Sequence, residues 1–184
     1  MKLIRLEGYN LTIEPELLTI KVFKKIWTRD KTAKKEKAIQ ELGYIYFMED
    51  PRSDYQYIID REARSAAIKE GEGMSPSWEP DQVVLDAMKY FATFKPTSAL
   101  VLEDLRYMAE KLRKEARSVE FSEIDDEAKK IQAMNSLTGV IKQMASLVVT
   151  IDAAEKTLTK ELMQSDKVRG SQEKSTYEDL DIWN

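Results

Sequence analysis

The chain has 184 residues, of which 42% are hydrophobic and 34% charged, with a net charge of −4. This suits one domain, or one domain with appendages, with a heavily charged surface, and so mild a negative charge argues against a protein that binds nucleic acid over its whole surface. Neither Cys nor His is present. That excludes disulfides, thiolate nucleophiles, zinc held by sulfur or nitrogen, and Ser-His-Asp triads, and leaves only carboxylates, Lys, Tyr or an oxygen-ligated metal for any catalysis.

With only six Gly and five Pro, the composition favours an all-α fold over a sandwich of short strands. No uninterrupted apolar run reaches about 18 residues, which on sequence excludes a spanning helix, and no membrane partner is expected. The start "MKLIRLEGYN" lacks the apolar core of a signal peptide.

In chain order, residues 1–13 alternate apolar and polar side chains and read as an extended N-terminal arm or a short hairpin around "EGYN". A helical domain is expected over 14–121. Its first helix opens at Glu14 with Pro15 in the first turn and an apolar face of Leu17, Leu18, Val22, Phe23 and Ile26. The next runs from about Thr32 to Met48 on Ala38, Ile39, Leu42, Ile45 and Tyr46, although the contiguous "YIYFM" at Tyr44–Met48 also fits a buried strand. Pro51 ends it, and Ser53 or Asp54 caps a third helix carrying Tyr55, Ile58, Ile59, Glu62, Ala63 and Ala66 at helical spacing. "GEGMSPSWEP" is a loop. A fourth helix starts near Pro80–Asp81 with Val84, Leu85, Met88 and Phe91 inward. Pro96 stops it, and Thr97 or Ser98 caps a fifth that reaches about Arg117 on Leu100, Val101, Leu105, Met108 and Leu112.

A long C-terminal helix is expected over 122–167, capped by Ser122 with acids in its first turn, where the helix dipole favours them. Met134, Leu137, Ile141, Met144, Val148, Ile151, Leu158 and Leu162 alternate three- and four-residue steps, broken only at Glu155, which is a heptad seam. Ala133, Val140, Leu147 and Ala154 widen it toward a bundle face, and Gly139 marks a kink or a close-packing point. Residues 168–184 read as a flexible C-terminal arm with an acidic-aromatic end.

Two stretches invite a chemical reading. "GYIYFMEDPRSDYQYIID" gathers Glu49, Asp50, Asp54 and Asp60, which suit a hard cation. Turn chemistry explains the same residues as a helix stop, a Pro turn and a helix start, and acids in a first helical turn explain "EIDDE" at Glu123–Glu127. There is no GxGxxG and no Walker lysine loop, so no cofactor, catalytic residue or metal ligand is assigned and the chain is not read as an enzyme. The basic cluster has more to offer. Lys21, Lys24, Lys25, Lys31, Lys34 and Lys35 suit non-specific contact with a polyanion such as DNA, with Phe23 or Trp27 available for stacking. They equally suit an acidic protein or a solvated helix face. At the C-terminus, Tyr177, Leu180, Ile182 and Trp183 fit a peptide that docks into a partner, Trp being a frequent interface anchor, or an unanchored end.

Over "IWTRDKTAKKEKAIQELGYIYFMEDPRSDYQ" (Ile26–Gln56) the chain resembles small virion proteins of tailed bacteriophages, particularly the crAss-like group. The likeness lies in a charged helix, "YIYFMEDPRSDY", further helical segments and a long C-terminal helix. It implies a structural head-to-tail connector, present as a homo-oligomeric ring and touching the portal and other tail or ring proteins through the long helix and terminal arms. It also implies assembly in the host cytoplasm and residence in the virion. A nucleic-acid-binding accessory protein that uses the Lys21–Lys37 face is the alternative.

Overall fold

The computed structural model describes residues 3–7, 10–119 and 126–167. Its architecture is all-α, with one small two-stranded sheet. Strands β1 (Ile4–Glu7) and β2 (Asn10–Ile13) pair antiparallel, Ile4 opposite Ile13 and Leu6 opposite Leu11. Of the two readings of residues 1–13, the structure takes the hairpin. It lies on the chain's own core, with Leu3 and Ile4 buried.

The helix expected from Glu14 is split. Pro15–Thr19 forms a 3-10 turn, Ile20 is extended, and helix α1 covers Lys21–Arg29. The break lets Leu17 enter the core on one heading and Phe23 and Ile26 on another. Helix α2 (Glu36–Glu49) begins later than expected because Asp30 organises the preceding turn. Its Oδ1 accepts from the Thr32 amide at 2.9 Å and hydroxyl at 2.8 Å, and its Oδ2 accepts from the Ala38 amide at 3.0 Å. Asp30 therefore satisfies one of α2's orphan donors from outside the helix. Lys35, at φ 55°, takes the left-handed conformation that closes the turn.

Tyr44–Met48 is helix, and every residue from Glu41 to Asp50 is buried. A contiguous apolar run marks an element covered on all sides, and here that element is a helix. The hairpin, α1, α3 (Arg61–Gly71) and α4 (Gln82–Ala92) supply that cover. Helix α3 starts later than expected. Ser53 does cap, accepting from the Tyr55 amide, but it opens a 3-10 turn over Asp54–Tyr57, and Asp60 caps α3 itself through the Ala63 amide at 2.8 Å. The buried residues of α3 are Arg64, Ile68 and Lys69, whereas Ala63 and Ala66 face out. Helix α4 starts where expected, with Asp81 as its cap through the Val84 amide at 3.0 Å, and Val84, Met88 and Phe91 point inward, but Leu85 faces solvent.

Helix α5 (Thr97–Ser118) takes Pro96 as its cap residue, with no side-chain cap. Thr97 and Ser98 do not fill that role, and the Ser98 hydroxyl donates to Glu161 instead. Leu100, Val101 and Met108, expected inward, are exposed; Ala99 and Leu102 are buried in their place. Helix α6 (Glu127–Lys167) has 41 residues, about 60 Å at 1.5 Å per residue. Asp126 caps it through the amides of Ala128 at 2.9 Å and Lys129 at 3.3 Å. The expected cap Ser122 lies outside the described residues.

Two clusters of buried residues result. The larger joins the hairpin and α1–α4 around α2, and the smaller joins Ala99 and Leu102 of α5 to Leu158 of α6, flanked by Ile151, Ala154 and Leu162.

Candidate functional site

The acidic-aromatic stretch is a junction between helices. Residues Phe47 and Met48 end α2 inside the protein, where their carbonyls lack helical partners. Ser53 Oγ donates to Phe47 O at 2.9 Å, Gln56 Nε2 to Met48 O at 3.1 Å, and Arg64 Nη1 to Met48 O at 3.1 Å. Glu49, 4% exposed, is paired with Arg61 and with Lys95, whose amine lies 2.9 Å away and is 3% exposed. Lys95 also reaches Glu103 at 2.7 Å. This network ties the end of α2 to the start of α3 and to the α4–α5 connection. Asp50 accepts from the Arg52 amide, and burial raises its carboxyl above the usual range. Burial, reinforced by Asp50, pushes the Tyr46 phenol up to about 12. Among the described residues, no group of three or more acids could hold a metal ion.

The basic cluster divides into committed and free cations. Arg29 is drawn inward by Glu41 and Asp81. Lys35 bonds the Asp30 carbonyl, and Lys31 the Thr28 carbonyl at 2.9 Å. Lys21, Lys24, Lys25, Lys34 and Lys37 are exposed and make no ion pair among the described residues. Asp30, the acid in their midst, has turned its carboxylate inside. The Thr32 amide, then the Ala38 amide and the Thr32 hydroxyl, hold it down at about 2. Phe23 is fully buried, so it offers no stacking surface, and Trp27 is half-buried against the core.

An open groove of about 840 Å³ runs beside β2 and α2, floored by Leu11, Gly43, Phe47 and Trp78 and rimmed by Glu36 and Glu72. Tyr55 donates to Glu72 at 3.3 Å. The polar groups along the groove are carboxylates, Lys37 and Gln40, with no paired acid and base aimed at a common point.

The α5–α6 hairpin carries a long, incompletely covered apolar surface. The helices run antiparallel, fixed by Ser98 on Glu161 at 2.5 Å and Arg106 on Glu155 at 2.7 Å. Leu102, Leu105, Ala109, Leu112 and Ala116 of α5 face the α6 row Met144, Leu147, Ile151, Ala154 and Leu158, as their shared burial indicates. The expected heptad seam is therefore divided between two sides of α6. Leu137, Met144, Ile151 and Leu158 are covered to varying degrees, but Met134, Ile141 and Val148 are 55%, 56% and 64% exposed. The heptad position after Val148 is Glu155, bonded to Arg106.

Between Lys130 and Asp152, α6 carries one charge, Lys142, in a chain that is 34% charged. By length and composition this helix could cross a membrane, although none of its most apolar stretch is buried. The absence of a contiguous apolar run therefore does not exclude a spanning helix. The tail residues Tyr177, Leu180, Ile182 and Trp183 lie outside the described residues. No family model matches the chain, and neither a curated protein nor a solved structure matches it.

Proposed function

We propose that the protein is a structural subunit that works by assembly, with the α5–α6 hairpin as its main contact surface. The observation that carries this reading is the exposed Met134–Ile141–Val148 strip in a charge-poor stretch of a helix longer than its partner. Depletion of charge with retention of large apolar side chains characterises interface cores, and exposed apolar strips of this kind mark contact sites. The resemblance of Ile26–Gln56 to small virion proteins of tailed phages supplies the setting: a head-to-tail connector ring bound to the portal and neighbouring tail proteins. Reconstruction of the native particle tests it. The expected result is this chain in symmetric copies at the head–tail junction, and its absence from the particle overturns the connector reading.

A second reading, non-specific DNA contact, is favoured by one observation. Five exposed lysines, Lys21, Lys24 and Lys25 on α1, Lys34 in the α1–α2 turn and Lys37 in the first turn of α2, have no acidic partner among the described residues, while Asp30 is committed inward. Such contact weakens steeply with salt as counterions are released on binding. Replacement of Lys21, Lys24 and Lys25 by Glu is expected to abolish retention on duplex DNA in low salt. Equal retention of the variant removes this reading.

A further inference from the structure

The exposed strip on α6 has an internal symmetry that names its occupant. Lys130, Met134, Ile141, Val148 and Asp152 succeed one another at steps of four, seven, seven and four residues. Steps of four and seven keep side chains on one helical face, and all five are exposed. The face is therefore a palindrome about Ile141 in spacing and in apolar character, and it is antisymmetric in charge, with a cation at one end and an anion at the other.

We infer that a second copy of this chain covers the strip, with the two α6 helices antiparallel about a two-fold axis at Ile141. In that register Ile141 meets Ile141 of the second copy. Met134 lies against Val148 on both sides of the axis, and Lys130 against Asp152 at both ends. An isologous contact needs a self-complementary patch, and this one is complementary in shape class and in charge. The parallel arrangement sets Lys130 against Lys130 and Asp152 against Asp152, which like-charge repulsion disfavours. Lys130 has no ion pair among the described residues, and Asp152 holds only the exposed Lys156 one turn away at 2.7 Å. Both ends are therefore open to an intermolecular partner. A lipid occupant fits less well. Gln132, Asn135, Lys142 and Gln143 are exposed on the same length of helix, whereas a helix surrounded by lipid is apolar all round. The α5 helix packs on the flank of Leu147, Ile151 and Ala154 and leaves the palindromic face clear. The two α1–α4 domains then lie toward opposite ends of the pair.

The test uses the full chain, which has no native Cys. Sedimentation equilibrium is expected to give a dimer. Ile141→Lys is expected to raise its dissociation constant at least about a hundredfold, because it places two charges at the centre of an apolar contact, with the helical circular dichroism unchanged. Lys130→Asp and Asp152→Lys each weaken self-association by about tenfold, and an equimolar mixture of these two variants restores it, since every end pair is then opposite in sign. Mixed Met134→Cys and Val148→Cys chains form a disulfide between unlike chains on mild oxidation, and neither alone cross-links. A monomeric chain at all concentrations overturns the inference, as does cross-linking of each Cys variant with itself or a monomer that floats with phosphatidylcholine vesicles. A cyclic ring is built from head-to-tail contacts, which differ in kind from this two-fold one. A ring in the particle whose chains fail the Met134–Val148 cross-link therefore overturns the pairing and leaves the connector reading intact, while a dimer absent from every particle does the reverse.

Discussion

Helices α2 and α6 are both rich in apolar residues, and they differ in how many neighbours share them. Around α2 the hairpin, α1, α3 and α4 close on every side, and ten successive residues from Glu41 to Asp50 are buried. Along α6 a single helix, α5, lies against a stripe too wide for one partner, and only Leu158 is buried among the described residues of α6. An apolar run is thus satisfied by the number of elements that reach it. Helix α5 has 22 residues against 41 in α6, so the hairpin is short of cover by construction, whereas the α2 cluster is complete within one chain.

Mutations can break that contrast or sharpen it. The largest effect is expected in the complete cluster. Phe23 is fully buried and packs edge-on against Tyr90 and Phe91 at 6.0 and 6.2 Å. Phe23→Ala should cost about 3–5 kcal/mol, read as a lowered urea midpoint. The corresponding truncation of an exposed strip residue, Val148→Ala, should stay within about 0.5 kcal/mol in the monomer. Equal costs would show that α6 is covered as fully as α2.

Next comes the ion network that joins the two regions. Lys95→Met leaves Glu49 buried with Arg61 as its remaining partner, which should destabilise by roughly 3–5 kcal/mol. The double variant Glu49→Gln/Lys95→Met should recover most of the loss. A double variant as unstable as the single one would mean that the contact of Lys95 with Glu103, and not its pair with Glu49, holds α5 to the α2 cluster.

A smaller, pH-dependent effect is expected at the α1–α2 turn. The Asp30 carboxyl is lowered from an ordinary value of 3.8 to about 2 by the Thr32 and Ala38 amides and the Thr32 hydroxyl. A depressed folded pKa gives stability that is complete above the ordinary value and is lost as pH falls toward about 2. Asp30→Ala should remove that dependence from the acid limb of a stability–pH curve and lower the midpoint at neutral pH. An unchanged acid limb would assign acid sensitivity elsewhere.

The smallest effect is at Gly139. A Cβ there meets nothing within 4 Å, so the close approach suggested by sequence is not made within the chain. Gly139→Ala should raise stability by up to about 1 kcal/mol through helix propensity alone. A loss of assembly in this variant would place a partner against that face.

The sequence was most informative where structure depends on local chemistry. The start of α4 near Asp81, Pro51 and Pro96 as stops, and the three- and four-residue rhythm of α6 are written in neighbouring residues, and each is observed. Ser53 was legible as a cap, but not the 3-10 turn that it opens. That turn depends on Gln56 and Arg64 reaching back to the carbonyls of Phe47 and Met48, a contact across several residues that no local pattern encodes. Leu100, Val101 and Met108 face outward against expectation for a related reason. Two faces of α5 are apolar, and periodicity alone does not choose between them. The palindrome on α6 is present in the sequence, hidden because Met134, Ile141 and Val148 belong equally to a single heptad seam.

By itself the sequence determined an all-α chain, the positions of most helices, and an unusually long C-terminal helix whose middle is poor in charge. These are consequences of side-chain periodicity and backbone capping, which act within a few residues. Tertiary structure decided which apolar rows are covered, which acids are consumed inside, and which cations remain outside. Those outcomes depend on how many surfaces meet at one place. Helix α2 is enclosed because four elements converge on it, and the strip along α6 stays open because α5 lies along only one of its flanks.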